Sequence, residues 1–280
     1  MLGSLVKVPV AATKPFEKCM TQIFENRVIY SVEDRVATIT LDRADRLNAF
    51  DAAMYEGVNK ALIAFRDDDD AWVAILQAAG DRAFSAGADI NALNENARLG
   101  ITTGLGGLLL DHDMVTDKPI IAAIHGYCVG EGVNLMLSCD LVFVDERAQF
   151  LISEVRIGVN PVDIPLKLAK RLGYGQAFSF LAPGDAKSAA WLYRVGIAEQ
   201  VSVHGQVQAE AHAFADRLVN ECAPLAMRAQ KATLWEATNT SEAAARTLGD
   251  ERRTAVRLSK DYAEGRQAFA EKRAPNFTGE

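Results

Sequence analysis

The sequence is short of several features that would settle its class at once. Its four cysteines, Cys19, Cys128, Cys139 and Cys222, form no C-x-x-C pair and have no histidine at zinc-ligand spacing. Neither a disulfide framework nor a metal centre is therefore expected, and the thiols read as reduced and mostly buried. No apolar run reaches the roughly 18 to 20 residues that a membrane span needs. The first 22 residues lack a basic segment followed by an apolar core, and Glu17 with the absence of arginine there speaks against an organelle presequence. An intracellular, cytoplasmic protein without membrane association is the expectation. Nor is there a basic excess: 30 lysines and arginines against 37 acidic residues leave a net charge of −7, which offers no surface for a nucleic-acid backbone. What is present is ordinary for a large globular core, 49% hydrophobic and 24% charged residues in a chain of 280.

Three stretches differ in character: an N-terminal arm over 1–22, a core over 23–203 and a helical region over 204–280. Val28–Ser31 and Val36–Leu41 are β-branched runs around the charged turn Glu33-Asp34-Arg35, which predicts a hairpin. Met54, Val58, Ala61, Leu62 and Phe65 recur at helical spacing behind Asp51, a candidate N-cap, and the acidic run Asp67–Asp70 that follows reads as a solvated loop. Trp72–Leu76, Pro119–Ile124 and Leu141–Val144 read as buried strands, and Asp89–Glu95 as a short helix. Strands alternating with helices predict an α/β architecture with crossover connections. Val207, Ala211, Phe214, Ala215 and Leu218 then mark one amphipathic helix, and the stretch from Pro224 to Lys272 marks more.

Two segments carry chemistry. Arg82-Ala83-Phe84-Ser85-Ala86-Gly87-Ala88-Asp89-Ile90 leaves a strand and enters a helix through small residues, which lets a ligand approach the backbone; its plainer reading is a loop capped by Asp89. Ala122–Leu135 repeats the pattern: a buried strand, a glycine-containing turn over Gly126–Gly132 and a helix start, whose first N–H groups have no internal acceptor. One amide from each loop would make an oxyanion hole, in which a well-placed donor contributes about 3–4 kcal/mol in the transition state.

Together these segments resemble the crotonase superfamily, the enoyl-CoA hydratases and isomerases, over nearly all of residues 24–278. The resemblance includes Leu41-Asp42-Arg43-Ala44-Asp45-Arg46-Leu47-Asn48-Ala49-Phe50, similar to that family's coenzyme A loop, and Glu264–Phe277 near the C-terminus. It implies a spiral of ββα units with C-terminal helices that trimerise, commonly as a dimer of trimers. It also implies an acyl-CoA thioester as substrate, with coenzyme A carried by the substrate and no separate cofactor. The oxyanion amides would fall on Ala88 and Glu131. The second position is usually glycine in the family, so the Glu131 side chain is a departure that would intrude on the pocket or bind polar substrate groups. Coenzyme A contacts would come from Arg43, Arg46, Ala49, Ala86, Asp89 and Ile90, and from Lys272 and Phe277, sometimes across a subunit boundary.

The acids depart further. Hydratases of the family resembled place a glutamate in the helix after the second glycine turn and another some twenty residues on. Here the first position is Asn134 and the second is Glu154, in Ile152-Ser153-Glu154-Val155. Asparagine orients a water or a substrate oxygen but exchanges no proton. Glu154 alone suits chemistry that removes and returns a proton beside a thioester, so isomerase and hydratase–lyase activities stand beside hydration. A catalytically silent coenzyme A-binding homologue is a further alternative. Asp163, between Pro161 and Pro165, is the nearest additional acid for a dienoyl-CoA isomerase. Ser85 has no G-x-S-x-G elbow, His125 reads as a packed histidine at a strand end, and Tyr127 as aromatic packing near the acyl side.

Overall fold

The computed structural model describes residues 20–101 and 103–280; the arm expected over 1–22 lies outside the described residues up to residue 19, as does Cys19. β1 (Met20–Phe24), β2 (Val28–Glu33) and β3 (Val36–Leu41) run antiparallel, so the sheet starts three residues before the end of the expected arm. The expected hairpin closes with Glu33 opposite Val36. Its two turn residues, Asp34 and Arg35, both have positive φ, the conformation whose twist matches the flanking strands.

Next comes α1 (Ala52–Asp67), whose N-terminus is capped by Asp51 accepting from the Met54 N–H at 2.8 Å. Its buried face is Met54, Val58, Ala61, Leu62 and Phe65, the spacing read from the sequence; each of the four larger side chains contributes roughly 1.5–3 kcal/mol by burial. The acidic run after it is more than a solvated loop, because Asp68 accepts from the Tyr30 hydroxyl at 3.0 Å and the buried Lys118 ammonium donates to the Asp68 carbonyl at 2.6 Å.

The chain then alternates between two sheets. β4 (Val73–Ala78) is followed by the short β5 (Ala83–Ser85) and α2 (Ile90–Arg98). β6 (Ile120–Ile124), β7 (Tyr127–Val129) and α3 (Glu131–Leu137) repeat the sequence, as do β8 (Leu141–Asp145), β9 (Gln149–Leu151) and a 3-10 turn at Glu154–Ile157. This is a spiral of ββα units. α4 (Asp163–Arg171), α5 (Tyr174–Leu181), β10 (Lys187–Ser188), α6 (Ala189–Arg194) and β11 (Gln200–Ser202) complete it. The large sheet has the order β1-β2-β3-β4-β6-β8-β11, parallel from β3 onward; the small one has the order β10-β9-β7-β5.

β4, β6 and β8 read as continuous apolar runs because both of their faces are covered. One face meets α1 and the small sheet through the main core. On the other face Val36, Val73, Ile75, Ile121 and Phe143 pack with Val207, Ala211 and Ala215 of α7 (Val207–Glu221). α8 (Pro224–Asn239), α9 (Glu242–Arg257) and α10 (Lys260–Glu271) bury little of themselves. The tail folds back onto α10, where buried Asp261 accepts from the Thr278 and Gly279 N–H groups at 2.7 and 2.9 Å. Among the described residues no helix is long and apolar enough to cross a membrane.

Candidate active site

The small sheet positions the site. β5, β7 and β9 are neighbours and parallel, so their carboxyl ends share one edge, the edge at which ligands sit in open parallel sheets. The chain leaves β5 into Ala86-Gly87-Ala88, β7 into Gly130-Glu131, and β9 into Glu154. The three exits are stitched together by main-chain bonds: Gly130 N–H donates to the Leu151 carbonyl at 2.9 Å, Phe50 N–H to Gly87 at 2.8 Å, and Asp89 N–H to Phe50 at 2.9 Å. Ser85, buried, donates its hydroxyl to the Asn48 carbonyl at 2.8 Å and accepts from the Gly87 N–H at 3.1 Å. It braces the loop and is placed as no nucleophile.

With its neighbours engaged, the Ala88 N–H has no acceptor among the described residues. Glu131 opens α3, whose first internal bond is Asn134 N–H to the Gly130 carbonyl, so the Glu131 N–H is likewise an orphan donor. Gly87, with φ +88°, is what lets the loops meet: a β-carbon there would lie 3.0 Å from the Val129 oxygen and 3.7 Å from the Glu131 nitrogen. Only glycine takes that conformation without strain.

Glu154 lies against the same peptide. A β-carbon on Gly130 (φ +48°) would stand 2.5 Å from Glu154 Oε1, so the second loop needs glycine to make room for the carboxyl. Glu154 Oε2 is buried and has no hydrogen-bond partner among the described residues. Burial pushes this carboxyl above the usual range, against the opposing pull of its own N–H and that of Ser153, because desolvation disfavours the charged form.

Asn134, by contrast, is fully engaged. Its NH2 donates to Asp111 Oδ1 at 2.9 Å and to Glu131 Oε1 at 3.1 Å, and its Oδ1 accepts from the Lys167 ammonium at 2.7 Å. Lys167 also reaches Asp111 Oδ1 at 2.5 Å and the Ser138 hydroxyl at 2.7 Å. The buried Glu131 carboxyl completes this cluster with a hydrogen bond from Tyr55 of α1; burial first, then the negative charge of Asp111, holds it above the usual carboxylate range. Asn134 thus has no free donor for a water, and the amide expected to orient a substrate oxygen is a structural hub. Asp163, the first residue of α4, comes within electrostatic reach of the Tyr55 hydroxyl.

The expected coenzyme A residues separate. Arg43 is drawn inward, donating to the Ala49 carbonyl at 2.9 Å and to Asp89 at 2.8 Å while pairing with Asp51 at 3.3 Å. It ties together the caps of α1 and α2, so the guanidinium expected to contact coenzyme A is already engaged by the chain's own groups. Arg46, with 61% of its side chain exposed, has a loose pairing at 3.8 Å to Asp45. Ala49, Ala86 and Asp89 line the stitched loops beside it, and Ile90 is exposed. Lys272 and Phe277 stand apart: Lys272 ends α10 in the left-handed conformation, and Phe277 lines an apolar cavity of about 510 Å³ with Leu225, Tyr262 and Phe269. Tyr127, expected to pack, is 56% exposed. His125 is half-buried, and burial lowers its pKa.

Sequence reasoning missed Tyr55, Asp111 and Lys167, and it expected the Glu131 carboxyl to intrude on the pocket or bind polar substrate groups rather than join them in a cluster. The four residues come from separate elements with no shared motif, and Tyr55 sits among apolar neighbours on its helix. The one signal available was a charged residue at a glycine position.

The family model described as enoyl-CoA hydratase/isomerase matches residues 31–280. A carnitinyl-CoA dehydratase from Salmonella typhi is 36% identical over 251 residues, 87% of this chain and 95% of that protein. Among solved structures, a probable enoyl-CoA hydratase/isomerase from Mycobacterium abscessus superposes with a TM-score of 0.80 at 32% identity, covering 91% of this chain and 99% of that one. An enoyl-CoA hydratase from Mycobacterium tuberculosis gives 0.81 at 30% identity over 91% and 99% of the two chains.

Proposed function

The chain belongs to the enoyl-CoA hydratase/isomerase family, and we propose on that premise that it binds an acyl-CoA thioester whose carbonyl oxygen accepts from the Ala88 and Glu131 N–H groups, with Glu154 moving a proton at the adjacent carbon. The observation that carries this reading is the placement of Glu154: a half-buried side chain with one buried oxygen unpartnered among the described residues, against the peptide that supplies one of two unengaged amides. Abstraction at the α-carbon shifts negative charge onto the thioester oxygen, where fixed amide donors stabilise it. A carboxyl that resists ionisation binds the proton it has taken more tightly, which brings its basicity nearer to the operating pH. Arg46, exposed beside these loops, is assigned to a phosphate of coenzyme A, with Ala49, Ala86, Asp89 and Ile90 lining the approach.

The substrate is a reactant that carries its own coenzyme A, and no resident cofactor enters the scheme. The same reading assigns α8–α10, which expose Leu234, Leu258 and Phe269, to contacts between copies in a trimer or a dimer of trimers. Incubation with butyryl-CoA in heavy water tests the central step: the wild type incorporates deuterium at the α-carbon and Glu154→Gln does not, while both retain the thioester. Equal incorporation by the two proteins would remove Glu154 from the role.

A further inference from the structure

An N–H group stabilises a thioester oxygen only if it holds one direction, because a hydrogen bond weakens steeply with angle. Gly130, which precedes α3, offers no side-chain cap to hold the first turn. Gly132, Val133, Leu135, Met136 and Leu137 of α3 are buried, and apolar contacts have no preferred direction. The roll of the helix is fixed instead by a polar stripe, Glu131, Asn134 and Ser138, spaced three and four residues apart on one face. Lys167 of α4 donates to Asn134 Oδ1 and to the Ser138 hydroxyl, both at 2.7 Å, and to Asp111 Oδ1 at 2.5 Å; these short bonds use the three donors of an ammonium. Asp111 also accepts from the Asn134 NH2 at 2.9 Å. Asparagine suits this position because it donates to two carboxyl groups and accepts from the ammonium, whereas a carboxylate would only accept.

The Glu131 end of the stripe is held from α1 by the Tyr55 hydroxyl. That aromatic ring is itself fixed: it meets Phe50 edge-on at 5.0 Å, and a β-carbon on Gly106 would stand 2.8 Å from its Cβ and Cγ. Asn59, one turn further along α1, ties the same segment by donating to the Gly107 carbonyl and accepting from the Leu109 N–H, both at 2.9 Å. One face of α1 thus sets both Tyr55 and the segment that delivers Asp111.

We infer that Lys167 and Tyr55 are positioning residues of the oxyanion hole: by clamping the Glu131–Asn134–Ser138 stripe from α4 and α1, they fix the direction of the Glu131 N–H. The inference rests on the assignment of the Ala88 and Glu131 amides to the thioester oxygen. The clamp works against a stop on another face of α3. A β-carbon on Gly132 would lie 2.9 Å from Ser85 Cβ, and Ser85 accepts from the Gly87 N–H in the loop that carries Ala88. Releasing the clamp lets α3 roll and turns one amide while the Ala88 loop keeps its own bonds. The loss then falls on the developing enolate rather than on coenzyme A binding, whose assigned residues lie on other loops.

The test reads the carbonyl stretch of bound butyryl-CoA, labelled with carbon-13 at the thioester carbon, by infrared difference spectroscopy, alongside α-deuteration in heavy water. Two amide donors lower the stretch of the bound thioester relative to the free one, and Glu154→Gln, with both amides intact, should keep that shift. Lys167→Met is expected to lose most of the shift and to deuterate about 10- to 100-fold more slowly, with KM within about threefold of the wild type. Tyr55→Phe keeps the ring and removes the hydroxyl, and should change both readouts in the same direction by less. Lys231→Met strands Asp140 outside the stripe; it controls for lost stability and should keep shift and rate. A folded Lys167→Met with the full shift and rate overturns the inference, as does an equal loss in Lys231→Met. Should Lys167→Met not fold, Tyr55→Phe decides, and a full shift with the wild-type rate overturns the inference. A wild type whose bound carbonyl is unshifted overturns the two-amide assignment itself, and this inference with it.

Discussion

The two polar regions on either side of the start of α3 are built on opposite principles. Toward α4, Asn134, Asp111 and Lys167 satisfy one another at 2.5–2.9 Å, with Lys167 and Asp111 only 14% and 5% exposed. Toward β9, Glu154 is half-buried, and its fully buried Oε2 has no hydrogen-bond partner among the described residues. A network whose members are all paired holds the helix in place, whereas an isolated buried carboxyl costs stability. Under the proposed function the difference separates structure from chemistry: the paired side is scaffold, and the unpaired side is the one assigned the moving proton. Glu131 belongs to both, its carboxyl tied to the scaffold and its N–H without an acceptor among the described residues.

The largest effects should come from breaking this division. Glu154→Gln is expected to lower turnover by about 10²–10⁴-fold while raising stability at neutral pH. The folded state holds the Glu154 proton to higher pH than the unfolded chain does, so stability falls as pH rises from the ordinary carboxylate value through the raised one. Denaturant melts at pH 5 and pH 8 measure this; the wild type should lose more between the two than the Gln variant. Equal losses would deny the burial effect on this carboxyl.

On the scaffold side, Lys167→Met strands the Asp111 charge and should destabilise by about 3 kcal/mol, read as a shifted urea midpoint. A change under about 0.5 kcal/mol would mean that the cluster is no structural hub. Gly87→Ala forces a left-handed conformation on alanine and crowds the Val129 oxygen, for about 1–2 kcal/mol, and turnover should fall with it because the two amides are pushed apart. The smallest effect separates two arginines. Arg46→Ala should raise KM a few-fold with no change in melting temperature, whereas Arg43→Ala should lower the melting temperature through the caps of α1 and α2. A reversal of that pattern would return the phosphate role to Arg43.

Much of the fold was legible because its signals are local. The apolar runs of β4, β6 and β8, the spacing of α1 with Asp51 before it, and the α7 face each depend on residues within a few turns of one another. The small sheet was not legible: β5, β7 and β9 are three residues each, too short for any periodicity. Their pairing depends on residues some 20 to 45 positions apart. At the candidate site, motif order named Ala88, Glu131 and Glu154, whose loops the small sheet brings to one edge. The burial of the Glu131 carboxyl, the inward turn of Arg43 and the capture of Asn134 by Lys167 each rest on one long-range neighbour that no local pattern encodes.

The sequence by itself determined the alternation of strand and helix, the glycines that allow two backbones to approach, and the presence of a lone glutamate after β9. Tertiary structure decided which polar groups are used up and which stay free. Hydrogen-bond satisfaction belongs to the pair, and the partners of Asn134, Arg43 and Glu131 are brought to them by other elements of the chain. Glu154 keeps its unpartnered oxygen for the same reason, since no described element carries a donor to the place where that oxygen is buried.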